Sequence, residues 1–173
     1  MAALPILFTR EQIEARVGEL AAEITHDFAG ESLLLVGVLK GAAVFLADLA
    51  RAIEVDATFD FISVASYKAG TSSSGEVRLQ KDLDESIEDR NVLLVEDILD
   101  TGLTLNYLSQ LLLPRKPKSL KVVALLDKPS HRMKPFKADY VGFEVANQFV
   151  VGYGMDHAEH YRNLPDICFL PSA

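Results

Sequence analysis

Two kinds of hydrophobic pattern alternate along the chain. Apolar or β-rich runs predict strands at 33–38, 58–64, 92–95, 120–126, 140–143, 149–151 and 167–170. Apolar residues at helical spacing predict helices after Thr9, over 42–53 and after Gly102, and Gln12 is placed to complete a capping box with Thr9. Strands that alternate with helices predict an α/β fold with a mainly parallel, twisted sheet, helices on both faces and right-handed crossovers.

The segment after the strand at 92–95 carries the most chemical information. Its polar side chains are Glu96, Asp97, Asp100, Thr101 and Thr104. Ligands of parallel sheets bind beyond the carboxyl ends of the strands, and the N–H groups of a turn and a following helix favour a phosphate. Carboxylates beside a phosphate need a cation between them, so Mg²⁺ is expected. The alternative is a helix capped by Asp100 or Thr101, with Glu96 and Asp97 merely solvated.

A second anion site is predicted one strand earlier. The strand at 33–38 is followed, two residues after its end, by Lys40, and then by Gly41 and the next helix. Lys40 supplies positive charge, Gly41 allows the backbone to approach a ligand closely, and the helix N-terminus adds N–H donors. In isolation this pattern also fits an ordinary helix start.

The composition restricts the kind of phosphate that would bind. The chain has 173 residues, of which 49% are hydrophobic, and this predicts a single domain over 1–173. A net charge of −8 argues against a nucleic-acid partner, so the phosphate should belong to a small molecule. No apolar run approaches the ~20 residues of a membrane span, and the N-terminus lacks a signal-peptide pattern, so a cytoplasmic protein with no membrane partner is expected. The lone Cys168 has apolar neighbours, which indicate a buried structural thiol.

The run Glu-Asp-x-x-Asp-Thr-Gly-x-Thr at 96–104 resembles the phosphoribosyl pyrophosphate motif of the type I phosphoribosyltransferases. From 33 to 170 the chain resembles, in motif order and spacing, the hypoxanthine-guanine members of that family. The resemblance implies the type I fold with a small hood built from the terminal segments, Mg²⁺ as cofactor, and a homodimer or homotetramer. The activity it implies is purine salvage: transfer of the 5-phosphoribosyl group to hypoxanthine or guanine, giving IMP or GMP and pyrophosphate.

The resemblance also implies roles for the residues around the sugar phosphate. Glu96 and Asp97 would hold the ribose hydroxyls, directly or through Mg²⁺, and Asp100 would act as general base or acid near N7 of the purine. The 5′-phosphate would be wrapped by Asp100, Thr101, Gly102, Leu103 and Thr104. Leu39, Lys40 and Gly41 match the pyrophosphate loop, in which the peptide matching Leu39–Lys40 is often cis, and Lys40 would stabilise the leaving group.

Two further regions match the family. Ser66 and Tyr67 match the mobile catalytic loop, although the Gly/Ser tract that follows them reads by itself as a surface loop. In the base pocket, Lys128 would donate to O6 of the purine, Phe149 would stack on the ring, and Val150 would offer backbone groups. Glu96 and Asp97 would hold Mg²⁺, Asp156 would help to place a second Mg²⁺, and Arg162 would contact pyrophosphate.

Two rival functions remain open on the sequence. One is a xanthine-preferring relative, because contacts to the 2-position of the base are mostly with the backbone. The other is a regulator that binds phosphoribosyl pyrophosphate without catalysis, which the acidic charge and the intact Lys128 and Asp156 disfavour. Adenine is a poor candidate, because its amine would face a lysine donor. The chain departs from the family at Asn147, Gln148 and His157, which blurs the base preference.

Overall fold

A computed structural model describes residues 4–66 and 77–171. The helices and strands are β1 (Ile6–Phe8), α1 (Arg10–Asp27), β2 (Leu33–Leu39), α2 (Ala43–Ala52), β3 (Ala57–Ser66), β4 (Val77–Lys81), β5 (Asn91–Leu99), α3 (Leu103–Leu112), β6 (Ser119–Asp127), β7 (Tyr140–Glu144), β8 (Val150–Val151) and β9 (Ile167–Phe169). Short 3₁₀ turns lie at Leu113–Arg115 and Pro129–His131.

The main sheet has the strand order β4-β3-β2-β5-β6-β7, and only β4 runs antiparallel to its neighbour. This confirms the mainly parallel sheet expected from the sequence. The edge strand β4 was not predicted, because its five residues alternate between partly buried and exposed positions and carry three charged or amide side chains. Leu33 pairs with Asn91 and Gly37 with Val95, so β2 and β5 end at the same edge of the sheet.

Helices cover both faces of this sheet, as predicted. Alternate side chains of each central strand point to opposite faces. Leu35 and Leu93 belong to the core formed with α1 and α2, whereas Val36 and Leu94 belong to the core formed with α3. A strand that is buried on both faces must be apolar throughout, which explains the unbroken hydrophobic runs of β2 and β5.

A second, small sheet joins segments near the two ends of the chain. Its strand order is β1-β9-β8, with antiparallel pairing throughout. This sheet corresponds to the hood expected from the terminal segments. Cys168 lies buried in β9, and burial raises the pKa of its thiol, consistent with a structural role.

The helix N-termini differ in how they are capped. At α1 the predicted capping box is present: the Thr9 hydroxyl accepts from the Gln12 N–H at 3.3 Å, and the Gln12 side chain accepts from the Thr9 N–H at 2.9 Å. At α3 the N-cap is Gly102, in the left-handed conformation with φ of 81°. Asp100 and Thr101 therefore do not occupy the N-cap of α3, although the Thr101 hydroxyl accepts from the Leu103 N–H at 3.3 Å. The alternative also required a solvated Glu96, whereas Glu96 is buried. Within residues 4–66 and 77–171, no helix has the length and apolar character needed to cross a bilayer.

Candidate active site

A cavity of about 430 Å³ lies at the sheet edge where β2 and β5 end. Four segments line it: the end of β2 with the loop after it, Val64 of β3, the end of β5 with the turn into α3, and the stretch after β8. The lining includes eleven of the residues singled out in the sequence: Leu39, Lys40, Gly41, Glu96, Asp97, Asp100, Thr101, Gly102, Thr104, Asp156 and Arg162. Leu103 is not part of the lining. The fold therefore brings most of the predicted phosphate-binding residues together around one space.

The adjacent carboxyl groups of Glu96 and Asp97 both line this cavity. Glu96 and Asp97 belong to β5, which continues to Leu99 rather than ending at Val95. Glu96 is buried, and burial followed by repulsion from Asp97 raises the pKa of Glu96 well above its usual range. Burial also raises the pKa of Asp97. A cation that binds to such an acid pair would displace any protons that the two carboxyl groups hold.

The donor set fits Mg²⁺ bound together with a phosphate. Within residues 4–66 and 77–171, no group of three acidic, His or Cys side chains stands close enough to hold a metal by itself. Mg²⁺ usually takes one or two carboxylates and completes its coordination with waters and substrate phosphates. Glu96 and Asp97 suit that pattern. Asp156 also lines the cavity, and its carboxylate pairs with Arg162 at 2.9 Å.

The turn before α3 presents its N–H groups to the cavity. On the opposite side, the Arg132 guanidinium donates to the carbonyl oxygens of Leu99 at 2.9 Å and Asp100 at 2.5 Å. The backbone N–H groups of residues 133–134 donate to the carbonyl of Thr101 at 2.8 and 3.0 Å. In a trans peptide the N–H points away from the preceding C=O. The N–H groups that follow these three carbonyls therefore point away from the Arg132 segment and form an anion cradle.

The Asp100 carboxylate lies between two basic side chains. Its Oδ1 is 2.5 Å from Nδ1 of His131, and its Oδ2 is 3.7 Å from Nζ of Lys128. Lys128 is almost fully buried, at 5% exposure, although it follows the end of β6. A buried lysine beside a carboxylate can donate to a ligand carbonyl while the carboxylate accepts from a neighbouring N–H.

The loop after β2 approaches the acid pair very closely. The Leu39–Lys40 peptide bond is cis, in agreement with the expectation from the family resemblance. A Cβ on Gly41 would lie 1.8 Å from Oδ2 of Asp97, so any side chain here would displace the Asp97 carboxylate from its observed position. A Cβ on Gly154 would in turn lie 2.3 Å from the carbonyl oxygen of Gly41. The close packing of three segments depends on these two glycines.

The two cations predicted to bind pyrophosphate share one carboxylate. Glu159 lies 3.0 Å from Nζ of Lys40 and 3.3 Å from the guanidinium of Arg162. Its backbone N–H also donates to Asp156 at 2.8 Å. Lys40 and Glu159 are both about two-thirds exposed, so water screens this pair and a charged ligand can displace it.

The residues predicted to contact the base lie beside this cavity rather than in its lining. Phe149 lies just before β8 and is 52% exposed, while Val150 is buried in that strand. Phe149 lines a neighbouring cavity of about 460 Å³, and the His157 ring packs nearly perpendicular to the Phe149 ring with 5.2 Å between centroids. Asp156 lines the first cavity and His157 the second, so the two spaces are neighbours.

Comparison with known proteins identifies the family. Residues 6–158 match the phosphoribosyl transferase domain. The chain belongs to this family. It is 53% identical to the hypoxanthine-guanine phosphoribosyltransferase of Bacillus subtilis (strain 168), over 97% of this chain and 93% of that protein. It is 49% identical to the enzyme of the same name from Staphylococcus aureus (strain Mu50), over 94% of this chain and 90% of that one. The crystal structure of a hypoxanthine-guanine phosphoribosyltransferase from Bacillus anthracis superposes with a TM-score of 0.93 at 48% identity, covering 98% of this chain and 100% of that one.

Two predicted residues of this phosphoribosyltransferase cannot be placed in the site. Tyr67 lies outside the described residues, so its prediction is untested. Ser66 is described only as the last residue of β3, where its backbone pairs with Val77.

Sequence reasoning missed three side chains that contact the site of the phosphoribosyltransferase. His131 and Arg132 contact the Asp100 turn, and Glu159 contacts Lys40. The run that contains His131 and Arg132 directly follows the end of β6, at the same edge as the acidic motif. Their position after a strand at this edge of the sheet could have identified both residues as candidates for the site. Glu159 offered none, because an exposed acid in a polar loop has no distinctive pattern.

Proposed function

We propose that the protein is a hypoxanthine-guanine phosphoribosyltransferase of purine salvage. It transfers the 5-phosphoribosyl group from phosphoribosyl pyrophosphate to N9 of hypoxanthine or guanine, and pyrophosphate leaves. The observation that carries this proposal is the pairing of Asp100 with the nearly buried Lys128, at 3.7 Å, beside the anion cradle. In a 6-oxopurine, O6 and N7 are neighbours, so one edge of the base presents an acceptor to the lysine and an N–H to the carboxylate.

Each part of the cavity has a role in this reaction. Backbone N–H groups of the turn, with the hydroxyls of Thr101 and Thr104, hold the 5′-phosphate, and Lys40 and Arg162 hold the pyrophosphate. Glu96 and Asp97 orient the ribose hydroxyls. These two acids would hold one Mg²⁺, Asp156 would help to place a second, and the bound cations would supply positive charge that stabilises the departing pyrophosphate.

Proton transfer completes the reaction. As the N9–C1′ bond forms, the C1′–O bond breaks and its electron pair leaves on the pyrophosphate oxygen. The base must lose a proton from N7, and Asp100 accepts it. Phe149 stacks on the ring, and the backbone of Val150 contacts the base. Ser66 and Tyr67 contribute as the catalytic-loop residues that the family resemblance makes them.

The relatives' names support hypoxanthine and guanine as the accepted bases. A preference for xanthine and a non-catalytic regulator are the alternatives. We further propose that the chain is a single domain and works in the cytoplasm as a homodimer or homotetramer. Sedimentation of the purified protein would distinguish these assemblies from a monomer.

The test is pyrophosphate release from phosphoribosyl pyrophosphate with hypoxanthine, guanine, xanthine, adenine and uracil, each with Mg²⁺ and with excess chelator. We expect turnover with the first two bases only, and none in chelator. Asp100→Asn should lower kcat by about 10²–10⁴-fold with little change in the Kd for phosphoribosyl pyrophosphate, because the amide fits the turn but cannot accept the proton. Absence of turnover with every base would leave the regulator as the better description.

A further inference from the structure

His131 contacts the proposed general base but has no part in the function derived so far. It is the last residue of the 3₁₀ turn that follows β6, and its Nδ1 lies 2.5 Å from Oδ1 of Asp100. The other oxygen of the same carboxylate, Oδ2, faces Nζ of Lys128 at 3.7 Å. The two oxygens of Asp100 therefore have different partners on different sides.

The backbone around His131 is tied to the turn that carries Asp100. The His131 N–H donates to the carbonyl of Lys128 at 3.2 Å and so closes the 3₁₀ turn. The next side chain, Arg132, donates to the carbonyl oxygens of Leu99 and Asp100 and also pairs with Asp127. These contacts keep the imidazole beside Asp100 although the His131 side chain is about half exposed, at 49%.

We propose that His131 is a positioning residue that orients the Asp100 carboxylate for proton transfer. The torsion that rotates a carboxylate about its last bond has a broad minimum, so an unsupported Asp100 would present either oxygen, at many angles. A bond donated by Nδ1–H to Oδ1 fixes the plane of the carboxylate and leaves Oδ2 on the side of Lys128. This inference rests on the proposed function, in which Lys128 binds O6 and Asp100 accepts the proton from N7.

The arrangement of O6 and N7 in the purine determines which carboxylate oxygen of Asp100 accepts the proton. O6 and N7 lie side by side, so the lysine that binds O6 and the oxygen that accepts from N7 must also be neighbours. Only Oδ2 satisfies this condition, because Oδ1 is held by His131. In the transfer, Oδ2 takes the N7 proton and Asp100 becomes neutral, while His131 keeps its own proton and its bond to Oδ1.

The helix start does not supply a competing explanation for the Asp100 side chain. Gly102 is the N-cap of α3, and the side chain that accepts from the Leu103 N–H at the helix start is that of Thr101, at 3.3 Å, not that of Asp100. Loss of His131 should therefore affect the orientation of Asp100 far more than the stability of α3. We expect kcat to fall about tenfold or more, since misorientation of a reacting group is costly, while the backbone cradle keeps the affinity for phosphoribosyl pyrophosphate.

The experiment compares His131→Ala, His131→Leu and His131→Asn by steady-state kinetics and melting temperature. Asparagine carries an N–H donor at the position of Nδ1, so it should restore most of the kcat that alanine and leucine lose, with KM for phosphoribosyl pyrophosphate unchanged in all three. His26→Ala is the matched control, because His26 lies in the last turn of α1 and does not line the cavity. If His131→Ala does not fold, the comparison of leucine with asparagine decides the question.

A double-mutant cycle with Asp100→Asn separates this inference from the proposed function. If His131 acts through Asp100, His131→Ala should change kcat little once Asp100 is already an asparagine. Equal losses in both backgrounds, unchanged kcat in His131→Leu, or failure of asparagine to restore activity would each overturn the positioning role and leave the proposed function standing. Full turnover by Asp100→Asn alone would overturn the proposed proton acceptor, and the role of His131 with it.

Discussion

Gly41→Ala tests whether the position of the Asp97 carboxylate matters for activity. The added methyl group would lie 1.8 Å from Oδ2 and 2.7 Å from Cγ of Asp97. Ordinary van der Waals contact begins near 3.4 Å, so the oxygen must retreat by roughly 1.6 Å. The atom that is displaced is the end of a side chain beside an open cavity, so the carboxylate can swing aside while the backbone stays in place.

The displacement should damage binding and catalysis much more than stability. A misplacement of about 1 Å in a reacting or positioning group can lower activity about 10²-fold, so we expect a loss of that order in kcat/KM for phosphoribosyl pyrophosphate. Gly41 does not have a positive φ, so alanine fits its backbone and should change the free energy of unfolding by less than about 1 kcal/mol. Kinetics and urea denaturation of the same preparation measure both quantities.

Gly18→Ala is the matched control for this prediction. Gly18 lies inside α1, and a Cβ there would meet nothing within 4 Å. Alanine should stabilise the helix by about 0.5–1 kcal/mol and leave activity unchanged. A Gly41→Ala protein with normal kcat/KM and normal affinity for phosphoribosyl pyrophosphate would refute the reasoning, because Asp97 would then not need its observed position.

Three further predictions concern other contacts of the site. Lys128→Ala should reduce kcat/KM for hypoxanthine and guanine by an amount equivalent to about 1–3 kcal/mol, since O6 would face a cavity without a donor, and base-dependent kinetics would detect this. The raised pKa of Glu96 means that, above its usual value near 4.5, the folded protein binds more protons than the unfolded chain, so the free energy of unfolding should fall as pH rises through that window. Denaturation at several pH values should show this fall in the wild type but a shallower one in Glu96→Gln, and parallel curves would contradict the cause given. Glu159→Gln should lower the Kd for phosphoribosyl pyrophosphate about twofold to fivefold, because Lys40 and Arg162 would no longer be shared with a carboxylate, and isothermal titration measures this affinity.

The layered fold was predictable because it depends on local pattern. β2 and β5 are buried on both faces, so their hydrophobic runs are nearly uninterrupted. The apolar face of α1 and its capping box both lie within one short stretch of the sequence. Parallel strands with apolar faces must be covered by helices, and right-handed crossovers leave few arrangements of the chain. The edge strand β4 was missed because its pattern is short and half polar.

The acidic motif was also predictable, because all of its residues come from one strand and one turn. Glu96, Asp97, Asp100 and Thr101 follow one another at a strand end, and in a parallel sheet that position is where ligands bind. The sequence could therefore predict a phosphate site with a cation before the rest of the fold was considered. It could not decide whether Asp100 or Thr101 capped the helix, because both roles use the same residue types.

Only the tertiary structure decided which distant residues share the site. His131 reaches Asp100 across 31 positions of sequence, and Glu159 reaches Lys40 across 119. Gly41 leaves room for the Asp97 carboxylate, and Gly154 leaves room for the backbone of Gly41, although the residues next to each glycine in sequence do not reveal either contact. Local patterns record the periodicity and burial of one element, whereas contacts between loops depend on where several strands end together, and that is determined by the packing of the whole sheet.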